Sequence, residues 1–212
     1  ENDLEKVQLK MKQFKKFLTE NTREKYYEEQ HIVWMDTPYQ KAPVAVGWLD
    51  GRQNQAKRFQ TLLDIGVQEG DSILDLGCGL GHMVEHLEKI GLNVRYTGID
   101  TSKKSIQQAY QFREANYIHG TIYDVQDKYD WGLASGVFNV EFPKLEMLET
   151  LSELLLKANK GVAFNLLSNS ANNNLTYENY IPKEIVSHLK GDVSIVENYG
   201  VENDFTIYIK KN

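Results

Sequence analysis

The stretch "SILDLGCGLGH", residues 72–82, sets three glycines two apart, Gly77, Gly79 and Gly81, directly behind an apolar run that carries an acid, Asp75. Such a bend, after a β-type run and before a helical one, gives the backbone conformations that side-chain-bearing residues avoid, and it lets a ligand come close. Gly77 is expected to take a positive φ, Gly79 to leave a ligand free of any Cβ, and Gly81 to let the next helix begin tight against the sheet. The N–H groups at that helix start can receive a carboxylate or a phosphate.

The pattern around this turn is an alternation of strands and helices. Strand-like runs stand at "SILDLG", "RYTGID", "NYIHG", "WGLASGVF" and "GVAFNLLS", with helical stretches at 82–90, 102–115 and 143–158 between them and a helix through "RQNQAKRFQTLLDIG" before the first. Strand, helix, strand in repetition means a parallel sheet with right-handed crossovers and helices on both faces. The end departs from this: "DVSIVENYG" and "DFTIYIKK" are separated by a short turn only, so they are expected to pair antiparallel at one edge. The predicted fold is therefore α/β, a Rossmann-like doubly wound sheet of seven strands, mostly parallel with the last reversed.

Ahead of this domain, residues 4–29 read as a basic amphipathic helix, with Leu4, Val7, Met11, Phe14 and Leu18 on one stripe and Lys6, Lys10, Lys12, Lys15 and Lys16 largely between them. A cover helix with a solvated lysine side is the favoured reading over a membrane-surface helix. The following "HIVWMDTPYQKAPVAVGWLDG" is rich in aromatics, proline and glycine and reads as an irregular segment folding over the domain. Residues 1–51 thus form an N-terminal helical cap and 52–212 the main domain, one compact unit in all. The asparagine-rich "SNSANNNLTYENY", 168–180, reads as a long loop.

Composition narrows the function. The 212 residues are 41% hydrophobic and 25% charged with a net charge of -6, which suits one globular domain and disfavours bulk binding of DNA or other polyanions. A single cysteine, Cys78, excludes an internal disulfide, and no apolar run approaches the ~18 to 20 residues of a membrane span. No secretory signal is legible, and a cytoplasmic location is expected.

Two nucleotide-type ligands compete for the turn. A dinucleotide turn is written G-x-G-x-x-G, and here the third glycine comes one residue early, with His82 in its place. The form present, D-x-G-x-G-x-G from Asp75, resembles the first motif of the class I S-adenosylmethionine-dependent methyltransferases. Asp100 closes the second strand nineteen residues after Gly81, where a carboxylate can accept both ribose hydroxyls, and "GIDTS" with Thr101 continues the resemblance. "IHGTIYDV" and "LASGVFNV" fall where such enzymes carry an adenine-contacting turn and a fourth-strand motif. The resemblance covers residues 52–212 in order, the reversed last strand included.

What it implies is an enzyme that binds S-adenosyl-L-methionine and releases S-adenosyl-L-homocysteine. Asp75, Gly77, Cys78, Gly79, Asp100, Thr101, Thr121, Ile122, Tyr123 and Ser135 would line the donor. Where the family often places an acid to hold the adenine amino group this chain has Thr121, with Asp124 three residues on, so the backbone of Ile122 and Tyr123 is expected to hold the ring edge and one of the two side chains to cover its face. Trp48 and Arg58 join the list because "WLDGRQNQAKRF" resembles the W-x(6)-Q-x-x-R-F stretch of small bacterial methyltransferases. Gln55 and Arg58 share a helix face, which suits Arg58 as partner of the donor's carboxylate.

Transfer of methyl from a sulfonium is an in-line displacement on an already activated donor. Alignment therefore matters most, and a base is needed only for a protonated acceptor. The aromatic approach Tyr26, Tyr27, His31, Trp34, Tyr39 and Trp48 suits a pocket that excludes water. His31 is the candidate base, with Asp36 or Tyr39 behind it, and Asn139, after "SGVF", the candidate for orienting an acceptor. Asn165, polar within an apolar strand, reads as a satisfied buried amide. His82 and His86 stand four apart without the H-E-x-x-H form or a third ligand, so no metal is predicted.

After the fourth strand the chain reads "FNVEFP" rather than the Asn- or Asp-led double proline and aromatic of enzymes that methylate DNA-base amines. A small-molecule or sugar-type acceptor is expected. An RNA or protein acceptor stands as an alternative through the lysine-rich first helix, and a non-catalytic donor-binding subunit as another.

Overall fold

A computed structural model describes residues 51–139, 143–168 and 179–211. Seven strands form one sheet in the order β3-β2-β1-β4-β5-β7-β6. In chain order the elements are α1 (Gly51–Leu63), β1 (Ser72–Leu76), α2 (His82–Ile90), β2 (Arg95–Asp100), α3 (Lys103–Phe112), β3 (Asn116–His119), β4 (Tyr129–Ala134), α4 (Lys144–Lys157), β5 (Ala158–Leu167), α5 (Pro182–Ser187), β6 (Asp192–Glu197) and β7 (Asp204–Lys210). Short 3-10 turns occupy Ile122–Asp124 and Val137–Asn139. Most expected elements stand close to their predicted bounds, with α3 ending at Phe112 and β5 beginning at Ala158; β4, however, stops at Ala134 and the rest of the predicted strand, to Phe138, turns off into a bend and the second 3-10 turn, α1 closes at Leu63 short of Gly66, and the short helix α5 is additional.

Local chemistry sets the ends. Gly91 closes α2 in the left-handed region, φ 69, its N–H turned back on the carbonyls of Leu87 and Glu88. Ser102 opens α3 by accepting the Ser105 N–H on its hydroxyl.

Strands β1 to β5 are mutually parallel, with Asp75 beside Gly98 and Leu76 beside Ala134 in register. β7 runs antiparallel to both β5 and β6, so it is inserted between them and β6 takes the edge. The burial explains the order. β7 is buried at every position from Asp204 to Ile209, as an interior strand must be, whereas β6 holds only exposed and half-buried residues.

The sheet separates two cores. Leu74, Leu76, Ile99, Phe138, Phe164 and Phe205 pack with α4 and α5 on one face. Phe59, Leu62 and Leu63 of α1 and Met83 and Leu87 of α2 pack on Ile73, Trp131, Leu133 and Tyr208 on the other. There α3 lies alongside through Ile106 and Ala109, against Cys78 and Tyr117. The faces leave the carboxyl edge of β1 to β4 as the place where loops and helix starts converge. No helix among the described residues is long and apolar enough to cross a membrane.

Candidate functional site

The glycine turn at the end of β1 is held from the neighbouring strand, since the N–H groups of Gly77 and Cys78 both donate to the Ile99 carbonyl, at 2.7 and 3.1 Å. Gly77, Gly79 and Gly81 all take positive φ, at 70, 54 and 75°. At two of them space as well as φ excludes a side chain. A Cβ on Gly77 would stand 2.5 Å from Cγ2 of Val137, and one on Gly81 would run into the Tyr117 hydroxyl. Gly81 therefore serves the close approach expected of it, with a β3 tyrosine filling the gap.

Asp100 ties the second strand to this turn. Its Oδ2 accepts the Gly79 N–H at 2.9 Å and its Oδ1 the Ser102 N–H at 2.8 Å. Burial raises its pKa above the ordinary carboxylate value, while those two bonds pull it back toward ionisation. Asp75, 3% exposed, receives the Tyr96 hydroxyl on Oδ2 at 2.6 Å. Burial lifts its pKa to about 7; the Tyr96 bond works against that rise and the charge of Asp100 adds to it. Cys78 packs where Gly98 leaves room, since a Cβ on Gly98 would be 2.8 Å from its Sγ, and burial pushes its thiol well above the usual range.

The ends of β3 and β4 complete the edge. The Gly120 N–H donates to the Asp100 carbonyl at 2.9 Å, bringing Thr121 beside the ribose candidate. The Asp124 carboxylate folds back onto Thr121, its Oδ2 accepting the backbone N–H at 2.9 Å and the hydroxyl at 3.1 Å, and so caps its own turn. Ile122 is 2% exposed within the core. Tyr123 hydrogen-bonds Thr150 of α4, where burial and Glu153, Glu149 and Glu146 push its pKa to about 12. The His119 Nε2 meets the Thr101 carbonyl at 3.0 Å.

Behind Ser135 the turn after β4 is fastened to β5. Asn165, fully buried, accepts the Gly136 N–H on Oδ1 at 2.7 Å and donates from Nδ2 to the Ser135 Oγ at 3.3 Å, as a satisfied amide should. Asn139, 6% exposed, accepts the Leu167 N–H on Oδ1 at 3.1 Å, and the Tyr180 hydroxyl donates to the Phe138 carbonyl at 2.7 Å. Asn139 is thus engaged through Oδ1 in holding the end of β5.

Helix α1 straps the same edge. Gln55 Nε2 lies 3.3 Å from His82 Nδ1, directly after the glycine turn, and Arg58 Nε donates to Asp204 Oδ2 at 2.6 Å at the start of β7. Both side chains of that ion pair are buried, and the Tyr199 hydroxyl donates to the other oxygen of Asp204. Burial, followed by the positive charge of Arg52, lowers the His82 pKa to about 4, so the ring is neutral. His86 meets Gln60 at 3.2 Å, and no group of three or more metal-ligating side chains gathers among the described residues.

The structure therefore brings Asp75, Gly77, Cys78, Gly79, Asp100, Thr101, Thr121 and Ser135 to one edge, with Arg58 at its β7 side. It places Ile122 in the core and Tyr123 against α4. His31, Tyr39 and Trp48 lie outside the described residues. Sequence reading missed Tyr96 and Asp204. The two-residue alternation of β2 puts Tyr96, Gly98 and Asp100 on one face and carried the signal for the first; nothing local marks Asp204 as the partner of a residue 146 positions away.

A family described as "Methyltransferase domain" matches residues 67–204, almost the whole sheet. The chain belongs to the class I S-adenosylmethionine-dependent methyltransferases. It is 30% identical over 159 residues to Rv1506c of Mycobacterium tuberculosis, which is named as a methyltransferase; the match covers 66% of this chain and 93% of that one. It is 29% identical over 104 residues to the protein-lysine N-methyltransferase EFM4 of Saccharomyces cerevisiae, covering 46% and 45%. The magnesium protoporphyrin IX methyltransferase ChlM of Synechocystis, solved with bound S-adenosylhomocysteine, shares the fold at a TM-score of 0.66 and 13% identity, covering 93% of this methyltransferase and 100% of ChlM.

Proposed function

We propose that this methyltransferase moves a methyl group from S-adenosylmethionine to a small-molecule or sugar-type acceptor by in-line transfer. The observation that carries the donor site is the Asp100 carboxylate fixed to the Gly79 N–H, because it places an acceptor-rich group beside a turn whose glycines admit a ligand. A carboxylate has about four acceptor positions. Backbone amides occupy two, and the two ribose hydroxyls of the donor take the others. Arg58, steadied by Asp204, is the cation for the donor's carboxylate, and Thr121 with the backbone of Ile122 and Tyr123 receives the adenine edge. Because the Tyr123 side chain is engaged on α4 and the Ile122 side chain lies in the core, the backbone of this turn rather than either side chain meets the ring. His31 acts as base with Tyr39 behind it, Trp48 covers the donor, and Asn139 orients the acceptor as a hydrogen-bond donor.

The net charge of -6 and the aromatic run from Tyr26 to Trp48 support a compact, uncharged or cationic acceptor. The likeness to a protein-lysine methyltransferase supports a second reading, a protein acceptor. A thermal-shift titration with adenosylmethionine, adenosylhomocysteine and NAD tests the donor, since a ligand of the native state raises apparent stability. Stabilisation by NAD alone overturns it. Release of adenosylhomocysteine with small amines and hydroxylated sugars, compared with protein and RNA fractions, tests the acceptor. Turnover only with protein, or RNA binding that is saturable and steeply salt-dependent, refutes the small-molecule reading.

A further inference from the structure

Asp75 is a buried carboxylate with one oxygen satisfied. Tyr96 takes Oδ2 at 2.6 Å, and no other described residue hydrogen-bonds the group. An acid in such a place is costly unless something cationic completes it. The donor of this family carries two cationic groups, an ammonium and a sulfonium. Asp75 stands two residues before Gly77, beside Gly98 in register, at the turn proposed above for the donor.

Tyr96 is placed to control this acid. It sits two residues before Gly98 on the same face of β2, and its ring forms an edge-on contact with Tyr117 at 6.1 Å between centroids. The ring also lines an open cavity of about 410 Å3 with Val84, Leu87, Leu92 and Ala115, so one edge of the side chain has room while its hydroxyl is spent on Asp75. The other titratable groups near Asp75 are Asp100 on β2, Cys78 in the turn and Tyr117 on β3. From α2 comes His82, neutral, with the Arg52, Glu85 and Arg113 cluster beyond it.

We infer that Tyr96 is a positioning residue for donor binding, its hydroxyl holding the Asp75 carboxylate so that the free oxygen meets a cationic group of the donor. The inference rests on the donor site proposed above. A tyrosine with only a packing role would leave the pH dependence of donor affinity alone, whereas one bonded to the carboxylate sets it. Affinity that needs ionised Asp75 is present above its pKa of about 7 and lost as pH falls through it. The Tyr96 bond favours the ionised form, so removing it moves that midpoint upward.

The test is calorimetric titration of adenosylmethionine, which carries both cations, and of adenosylhomocysteine, which keeps only the ammonium, between pH 5.5 and 8 on the wild type, Tyr96→Phe, Asp75→Asn and the double variant, with the fold of each checked by unliganded melting. Tyr96→Phe should bind about tenfold more weakly near pH 7, the change that one lost charge-assisted bond brings, and its midpoint should lie above that of the wild type. Asp75→Asn should bind weakly with no such midpoint, and adding Tyr96→Phe to it should change nothing further. Wild-type affinity and midpoint retained in Tyr96→Phe overturn the inference alone, as does a Tyr96→Phe loss that persists undiminished in the Asp75→Asn background. A wild type that binds neither adenosylmethionine nor adenosylhomocysteine overturns the donor reading and this inference with it.

Discussion

Asp100→Ala probes the carboxylate on which the proposed donor site turns. Two backbone donors, Gly79 and Ser102, lose acceptors at 2.9 and 2.8 Å. Hydrogen bonds to a charged group contribute about 1.5–3 kcal/mol each, and water entering the vacated space recovers part of that. The unliganded protein should lose about 2–4 kcal/mol, which for a chain of this size lowers Tm by roughly 5–15 °C. Donor affinity falls separately, by about 1–3 kcal/mol, or roughly 5- to 150-fold, as the ribose loses its partner. Asp100→Asn should be little better, because an amide oxygen can take one of the two N–H groups while its own NH2 opposes the other. The assay is calorimetry with adenosylhomocysteine and with its 2′-deoxy analogue. Wild type should discriminate between the two ligands, and Asp100→Ala should not. A folded Asp100→Ala protein that binds adenosylhomocysteine as tightly as wild type, or that still discriminates, refutes the ribose assignment.

Three more outcomes follow from the same geometry. Gly77→Ala must strain a φ of 70° and push on Val137, so it should cost about 1–3 kcal/mol in chemical denaturation and weaken the donor as the turn shifts; an unchanged denaturation midpoint contradicts the geometry. Asp204→Ala leaves the buried Arg58 without that partner and should destabilise by about 3–5 kcal/mol, whereas a loss under 1 kcal/mol in urea melts argues that the pair is not buried in solution. Asp75, with a folded pKa of about 7 against an ordinary 3.8, contributes stability that is full below 3.8 and lost as pH rises toward 7. The difference in unfolding free energy between wild type and Asp75→Asn should therefore shift against the wild type as pH rises from 4.5 to 7, and a flat difference sinks the raised pKa.

Much of the candidate site's geometry was legible because it is local. The glycine spacing fixes a bend, and period two within β2 fixes which face Asp100 shares with its neighbours. An acid two residues before the bend needs no tertiary information to be noticed. Tyr96 could have been found by the same alternation, but its hydroxyl meets Asp75 only because β1 and β2 lie in one register, Asp75 beside Gly98. Asp204 gave no sign of itself. Arg58 read as the partner of the donor's carboxylate, and only the fold shows that β7 brings it a carboxylate of the protein's own across 146 residues.

The sequence by itself determined the alternation of strands and helices, the antiparallel pairing of the last two strands and the glycine turn proposed for the donor, since each is written in the period and spacing of adjacent residues. Tertiary structure alone decided that β7 slips between β5 and β6, and that Asn165 and Asn139 fasten the turn after β4. It alone decided, too, that Asp75 is held near neutrality by burial. The physical reason is common to all three. Strand order, a buried polar group's partner and a carboxyl's desolvation depend on which distant surfaces meet, and a local pattern constrains the surfaces without choosing the pairs.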